Sequence, residues 1–148
     1  MTDKEKINIF IQKCREHHLS VTPQRLAVYR EIMDDHSHPN PETIYKRVKE
    51  QFPTISFATV YKTLETFEKY GIISIVTTIH NTVRYDPITE PHHHAICVRC
   101  KKVIDIFDDQ LNHLTVPEAV TKGGNQYLGY SVQFNIICAD CLAKEKNQ

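Results

Sequence analysis

Apolar residues recur every three to four positions as far as Tyr70, then at every second position, and this change of period divides the chain. "INIFIQKC" puts Ile7, Phe10, Ile11 and Cys14 on one stripe, which predicts an opening amphipathic helix. Cys14 continues that stripe and reads as a small core residue, not a redox thiol. In "SVTPQRLAVYREIM", Thr22 is placed to cap a second helix and Pro23 takes its first position, where a missing N–H costs nothing. Leu26, Tyr29, Ile32 and Met33 form its predicted buried face. "PNPETIYKRVKEQF" repeats the device with Asn40 and Pro41 and buries Ile44, Val48 and Phe52. "SFATVYKTLETFEKYG" starts at Ser56, buries Val60, Leu64 and Phe67, and stops at Gly71. "IISIVTTIHNTVRYD" is rich in β-branched residues around a His80-Asn81 turn and predicts a hairpin. Helices followed by a two-stranded hairpin are the layout of a winged helix, with the fourth helix as recognition helix and the hairpin as wing.

Beyond Asp86 the pattern turns to strands. "AICVRC" and "KVIDIF" predict a pair around an "RCKK" turn. "DDQLNHLTVPEAV" predicts a helix, weakened in its second half by Pro117. "YSVQFNIIC" alternates Tyr130, Val132, Phe134 and Ile136 with polar residues, the pattern of a half-buried strand, and a short polar helix follows. The expected fold class is α+β: a winged helix over residues 1–86 and a small α/β domain over 87–148.

Charge adds little. Eighteen Lys and Arg balance eighteen Asp and Glu, so no bulk field draws the chain to nucleic acid or a membrane surface. Up to His80, eleven basic residues face ten acidic ones, so DNA binding by that half has to rest on its layout. No apolar run is long enough to span a bilayer. The opening "MTDKEKINIF" mixes both charges and lacks the apolar core of a signal peptide. The expected location is the cytoplasm, where disulfides are rare.

Cysteine spacing narrows the chemistry. Cys97 with Cys100, and Cys138 with Cys141, form two Cys-x-x-Cys pairs. Each pair offers two thiolates to one ion, and four suit a structural zinc. A redox dithiol or free core thiols are the rival readings, and no thioredoxin-like pattern surrounds either pair. "EPHHH" comes just before. Alternate residues of a strand share a face, so His92 and His94 can meet one ion while His93 points away, with Asp105 on the next strand. Imidazole and carboxylate together suit iron(II), manganese(II) or zinc. Spacing alone leaves open whether these are ligands or solvated polar residues, and periodicity does not recruit His38 or Asp86.

"TPQRLAVY", "HPNPETIYKRV", "SFATVYKTLETFEKYGII", "RYD", "HHHAICVRC" and "CADC" follow one another as in the Fur family of bacterial metal-sensing repressors, and the chain resembles that family over nearly its whole length. The resemblance implies a winged helix joined to an α/β dimerisation domain, with structural zinc on Cys97, Cys100, Cys138 and Cys141. It also implies a regulatory iron(II) or manganese(II) on His38, Asp86, His92, His94 and Asp105. An aspartate at 105, where iron-uptake regulators usually have glutamate, is similar to the peroxide-sensing branch. In that branch the oxidant attacks a ligand histidine, here His38 or His92. The last long strand carries no histidine, so no third metal site is expected. Lys62 stands where that branch is associated with a neutral residue, so the operator sequence does not carry over.

The resemblance further implies a homodimer on a double-stranded, pseudo-palindromic operator. Ser56, Ala58, Thr59, Tyr61 and Lys62 lie at the exposed start of the recognition helix, within reach of base edges. Arg25 is placed for a phosphate and Arg84, in the wing, for the minor groove. The pattern alone does not distinguish these from a solvated face. The expected function is a metal-dependent repressor that senses hydrogen peroxide. An iron- or zinc-responsive repressor of the same family is the alternative. A metalloenzyme would need open coordination positions and a substrate pocket, for which five protein ligands leave little room, and a zinc-stapled interaction module would bind no DNA.

Overall fold

The computed structural model describes residues 1–77 and 83–147, in two compact units, Met1–Thr89 and Glu90–Gln148. The first unit contains α1 (Asp3–Glu16), α2 (Pro23–Met33), α3 (Pro41–Gln51) and α4 (Phe57–Lys69), then strands β1 (Ser74–Thr77) and β2 (Val83–Asp86). Each helix begins on a side-chain oxygen that takes an otherwise orphaned backbone N–H. Thr2 and Glu5 form a reciprocal capping box, while Thr22, Asn40 and Ser56 accept from the N–H of Arg25, Thr43 and Thr59. Gly71 ends the last helix at φ +67°, a conformation that suits glycine. The predicted His80-Asn81 turn lies outside the described residues.

The core of this unit is aromatic at its centre. Phe10 stacks on Tyr29 with ring centres 4.4 Å apart and meets Phe67 edge-on at 5.4 Å. Ile44, Val48, Val60 and Leu64 close around them, and Cys14 is fully buried in the same cluster, as its place on the α1 stripe predicts. One helix is turned from expectation. α2 buries Ala27, Val28, Tyr29 and Ile32, while Leu26 and Met33 are only half-buried. It packs against α1, α3 and α4, so its buried arc is wider than one stripe.

The second unit is a three-stranded sheet of order β4-β3-β5, made of β3 (His93–Cys97), β4 (Val103–Ile106) and β5 (Gln133–Ile136). β3 and β4 pair antiparallel with His94 opposite Asp105, and β5 lies parallel to β3 with Ile136 opposite Cys97. The helix expected across 108–120 does not form. A 3-10 turn at Leu111–His113 and a single turn, α5 (Glu118–Thr121), replace it. The Tyr130 hydroxyl donates to the Leu111 carbonyl at 2.6 Å and accepts from the Leu114 N–H at 3.0 Å, taking main-chain groups that a helix would pair internally. β5 is also more open than its alternation predicts, with Phe134 41 % exposed and Ile136 half-buried. A short helix, α6 (Ala139–Lys146), closes the chain. No described helix is long and apolar enough to cross a membrane.

Leu64 is completely buried in the first unit, so Leu64→Ala should destabilise it by about 2–5 kcal/mol through lost burial and a residual cavity. The check is urea unfolding followed by helix signal, with an unchanged slope expected.

Candidate metal centres

The four paired cysteines converge. Cys97 ends β3, Cys100 sits in the turn before β4, Cys138 caps α6 and Cys141 lies in its first turn. The turn closes with the Lys101 N–H on the Cys97 carbonyl at 3.0 Å, and φ +65° at Lys101 turns the chain back so that the Lys102 carbonyl accepts from the Cys97 N–H at 3.0 Å. Parallel pairing of β5 with β3 then delivers the second pair to the first. The Cys97–Cys141 sulfurs are 3.8 Å apart and the Cys100–Cys138 sulfurs 3.6 Å, and all four lie within 4.8 Å of one another. Disulfide bonding needs a separation of about 2.05 Å. Four sulfurs at about 2.3 Å from one tetrahedral ion would stand about 3.8 Å apart. The cluster has metal spacing, not disulfide spacing.

Its thiols are unlike one another. The Cys138 N–H points at the Cys97 sulfur at 3.4 Å. That bond leads several backbone hydrogen bonds that favour the thiolate and lower the Cys97 pKa to about 6. Cys141 moves the other way, to about 12, chiefly because its side-chain hydrogen bond with Cys138 favours the protonated form. Without metal, Cys97 is therefore ionised and Cys141 protonated at neutral pH.

The imidazoles form two sets, one in each unit. In the second unit His92 Nε2 and His94 Nε2 both lie 3.3 Å from the same oxygen of Asp105. Cross-strand pairing of His94 with Asp105 makes this possible, and His92 reaches the same side two residues earlier. His92 Nδ1 donates to the Glu90 carbonyl at 2.8 Å. A carbonyl only accepts, so Nδ1 carries the proton, and in the neutral ring the Nε2 lone pair faces Asp105. In the first unit His38 and Asp86, both almost fully buried, meet at 3.1 Å between Nε2 and Oδ2. Donors at about 2.1 Å from a common ion stand on the order of 3.0–3.4 Å apart, so both sets have ligand spacing. His93 faces the other way. It accepts from the Val132 N–H at 3.0 Å through Nδ1 and donates from Nε2 to Asn112 at 2.9 Å, which makes it a buried structural residue.

On α4, Ser56 serves as helix cap and Ala58, Thr59, Tyr61 and Lys62 are exposed. Arg25 is half-buried and donates to the Ser20 carbonyl at 2.8 Å. A polar groove of about 440 Å³ runs past Thr22, Arg25, Thr59, Lys62 and Thr63. Sequence reasoning missed Phe57. It is exposed, stacks on Tyr61 at 6.1 Å and meets Tyr45 edge-on at 5.5 Å. Its signal was an aromatic residue lying off the buried stripe of α4. Arg84 is half-buried, and its guanidinium donates to the His38 carbonyl at 3.2 Å.

A capped helical unit with a β-hairpin wing, followed by a small sheet unit that gathers thiols and imidazoles, defines a metal-responsive transcriptional regulator of winged-helix type. The chain belongs to the ferric uptake regulator family, whose model matches residues 16–135. Members of this family are metal-responsive transcriptional regulators, not enzymes; they bind DNA and are dimeric. The peroxide-responsive repressor PerR of Staphylococcus aureus is 36% identical over 104 residues, which is 70% of each chain. The Campylobacter jejuni peroxide stress regulator matches 88% of this chain and 98% of its own, at 32% identity and a TM-score of 0.64. The iron-containing ferric uptake regulator of Francisella tularensis matches 84% and 95%, at 26% identity and the same score.

Because Cys141 holds its proton in the metal-free cluster, filling all four positions must expel it. Zinc titrated into metal-free protein at pH 7 should release protons, and affinity should rise with pH. Proton release in weak buffer is the measurement; the release should shrink as the starting pH is raised.

Proposed function

We propose that the chain is a homodimeric, metal-dependent repressor that senses hydrogen peroxide. The observation that carries this reading is the Asp105 carboxylate, which receives the imidazoles of both His92 and His94 in a shell of hard and borderline donors. Cys97, Cys100, Cys138 and Cys141 would hold a zinc with no open position, so that ion staples the second unit and takes no part in sensing. His38 and Asp86 would join His92, His94 and Asp105 on one regulatory iron(II) or manganese(II). Occupancy then fixes the winged helix relative to the dimerisation unit and favours the state that spans two operator half-sites. By linkage, operator DNA tightens metal binding by the same factor.

Bound iron(II) would supply the redox chemistry that activates peroxide beside the imidazoles. Overall, one oxygen of hydrogen peroxide is inserted at a carbon of His38 or His92 and the other leaves as water. The altered ring is a poorer donor, the metal is released and repression ends. The S. aureus and C. jejuni relatives named for peroxide support this branch.

Ser56, Ala58, Thr59, Tyr61 and Lys62 would face base edges of a double-stranded operator, with Arg25 on a phosphate beside the polar groove. Phe57 extends the apolar face of Tyr61 toward thymine methyls. A second copy would cover the open sheet face of Ala95, Ile104, Ile106, Phe134 and Ile136, giving two half-sites and a pseudo-palindromic operator. Five free thiols suit the cytoplasm. An iron- or zinc-responsive repressor is the second reading, favoured by the likeness to the iron-containing F. tularensis regulator.

The test is peptide mass spectrometry on iron(II)- and manganese(II)-loaded protein after mild peroxide. A gain of one oxygen on His38 or His92 is expected in the iron form alone, with loss of operator binding. Oxidation confined to cysteines, or none, would move the chain to the second reading or to a thiol switch. On the DNA side, Lys62→Ala should weaken operator binding and relax base preference at the contacted position, read by binding to a panel of operator variants.

A further inference from the structure

The segment His38-Pro39-Asn40-Pro41 has little means of holding itself. Two of its four residues lack a backbone N–H, and His38 adopts φ +58°, in the left-handed region that side chains rarely occupy. His38 and Pro39 are both buried, so their carbonyls need donors from elsewhere. Tyr85 and Arg84 of β2 meet that need, and the next residue, Asp86, holds the His38 ring. The Asp86 carboxylate lies 3.1 Å from the His38 ring, the Tyr85 N–H donates to the Pro39 carbonyl at 3.1 Å, and Arg84 Nη1 donates to the His38 carbonyl at 3.2 Å. Arg84 Nε is fully enclosed by protein. The guanidinium is thus turned inward onto the loop, whereas a minor-groove contact would need it turned out.

We propose that Arg84 is a positioning residue for the regulatory metal, holding the strained His38 backbone so that the imidazole is preset for coordination. Of the three restraints, it alone is a side chain outside the ligand set. It also makes the wing strand, through Arg84, Tyr85 and Asp86, the element that holds His38. A charge placed for DNA by sequence reasoning thereby serves the sensor. This assignment rests on His38 being a ligand.

The experiment uses full-length, zinc-containing protein and manganese(II) as the probe, with affinity read by chelator competition. Outer-shell partners of metal ligands typically contribute about 10- to 100-fold in affinity. Arg84→Ala should therefore weaken manganese binding at least about 10-fold, and Arg84→Lys should recover part of it. Zinc content should stay at the wild-type value, while the thermal transition of the manganese-free protein should fall, because the buried His38 carbonyl loses its donor. The visible bands of the cobalt(II)-substituted regulatory site should shift in Arg84→Ala, which a general loss of stability would not cause. With manganese saturating, the salt slope for a duplex selected from random sequence should be unchanged. Unaltered manganese affinity together with a shallower salt slope would overturn the assignment and return Arg84 to the DNA. His38→Ala distinguishes the underlying reading. If that change also leaves manganese affinity intact, His38 is no ligand and both readings fall. If it weakens binding while Arg84→Ala does not, only the positioning role falls.

Discussion

Four sulfur atoms stand where the second unit would otherwise need a core. Its buried apolar side chains, among the described residues, are Ala95, Ile96 and Val103, with Cys97 and Cys138 beside them. That is too little apolar surface to offset the entropy of ordering the segment. Convergence of the two cysteine turns supplies the missing cohesion, and a metal there would contribute its binding free energy to folding directly. The register of the sheet depends on this convergence, because Cys97 terminates the central strand and Cys138 lies two residues beyond the end of β5.

Register matters because the imidazoles occupy consecutive positions. Shifting β3 by one residue would carry His93 to the Asp105 side and turn His92 and His94 away. The structure guards against this from the opposite face, where His93 is tied to Val132 and Asn112 and lies 6.0 Å from the ring of Tyr130. One histidine of the three thus fixes the strand so that its two neighbours share a carboxylate. The sulfur cluster and the imidazole set are separate in chemistry yet depend on a single strand.

Local rules read the first unit well. Its caps, its stripes and its glycine stop are interactions between residues a few positions apart, so Thr22, Asn40, Ser56 and Gly71 mark boundaries that the sequence itself displays. The stretch from Asp108 to Val120 was misread because its backbone groups are claimed by Tyr130, a partner that helical periodicity does not register. The β3 alternation predicted that His92 and His94 would share a side. No period in the chain announced that His38 would meet Asp86 across 48 residues; the family resemblance supplied that pair. The inward turn of Arg84 was equally illegible, since an arginine on a wing strand reads as a surface charge until its partner carbonyl is seen.

The separation of the two cysteine turns has a kinetic consequence. Cys100 and Cys138 lie 38 positions apart, and the strand that unites them runs parallel to its neighbour. Closing so long a loop precedes any reward from the contacts it makes, so such topologies assemble slowly. The helices of the first unit, built on neighbouring contacts, can form well before the second sheet is complete. Until it closes, β3 exposes a hydrogen-bonding edge to other chains, which makes rapid closure a safeguard against aggregation.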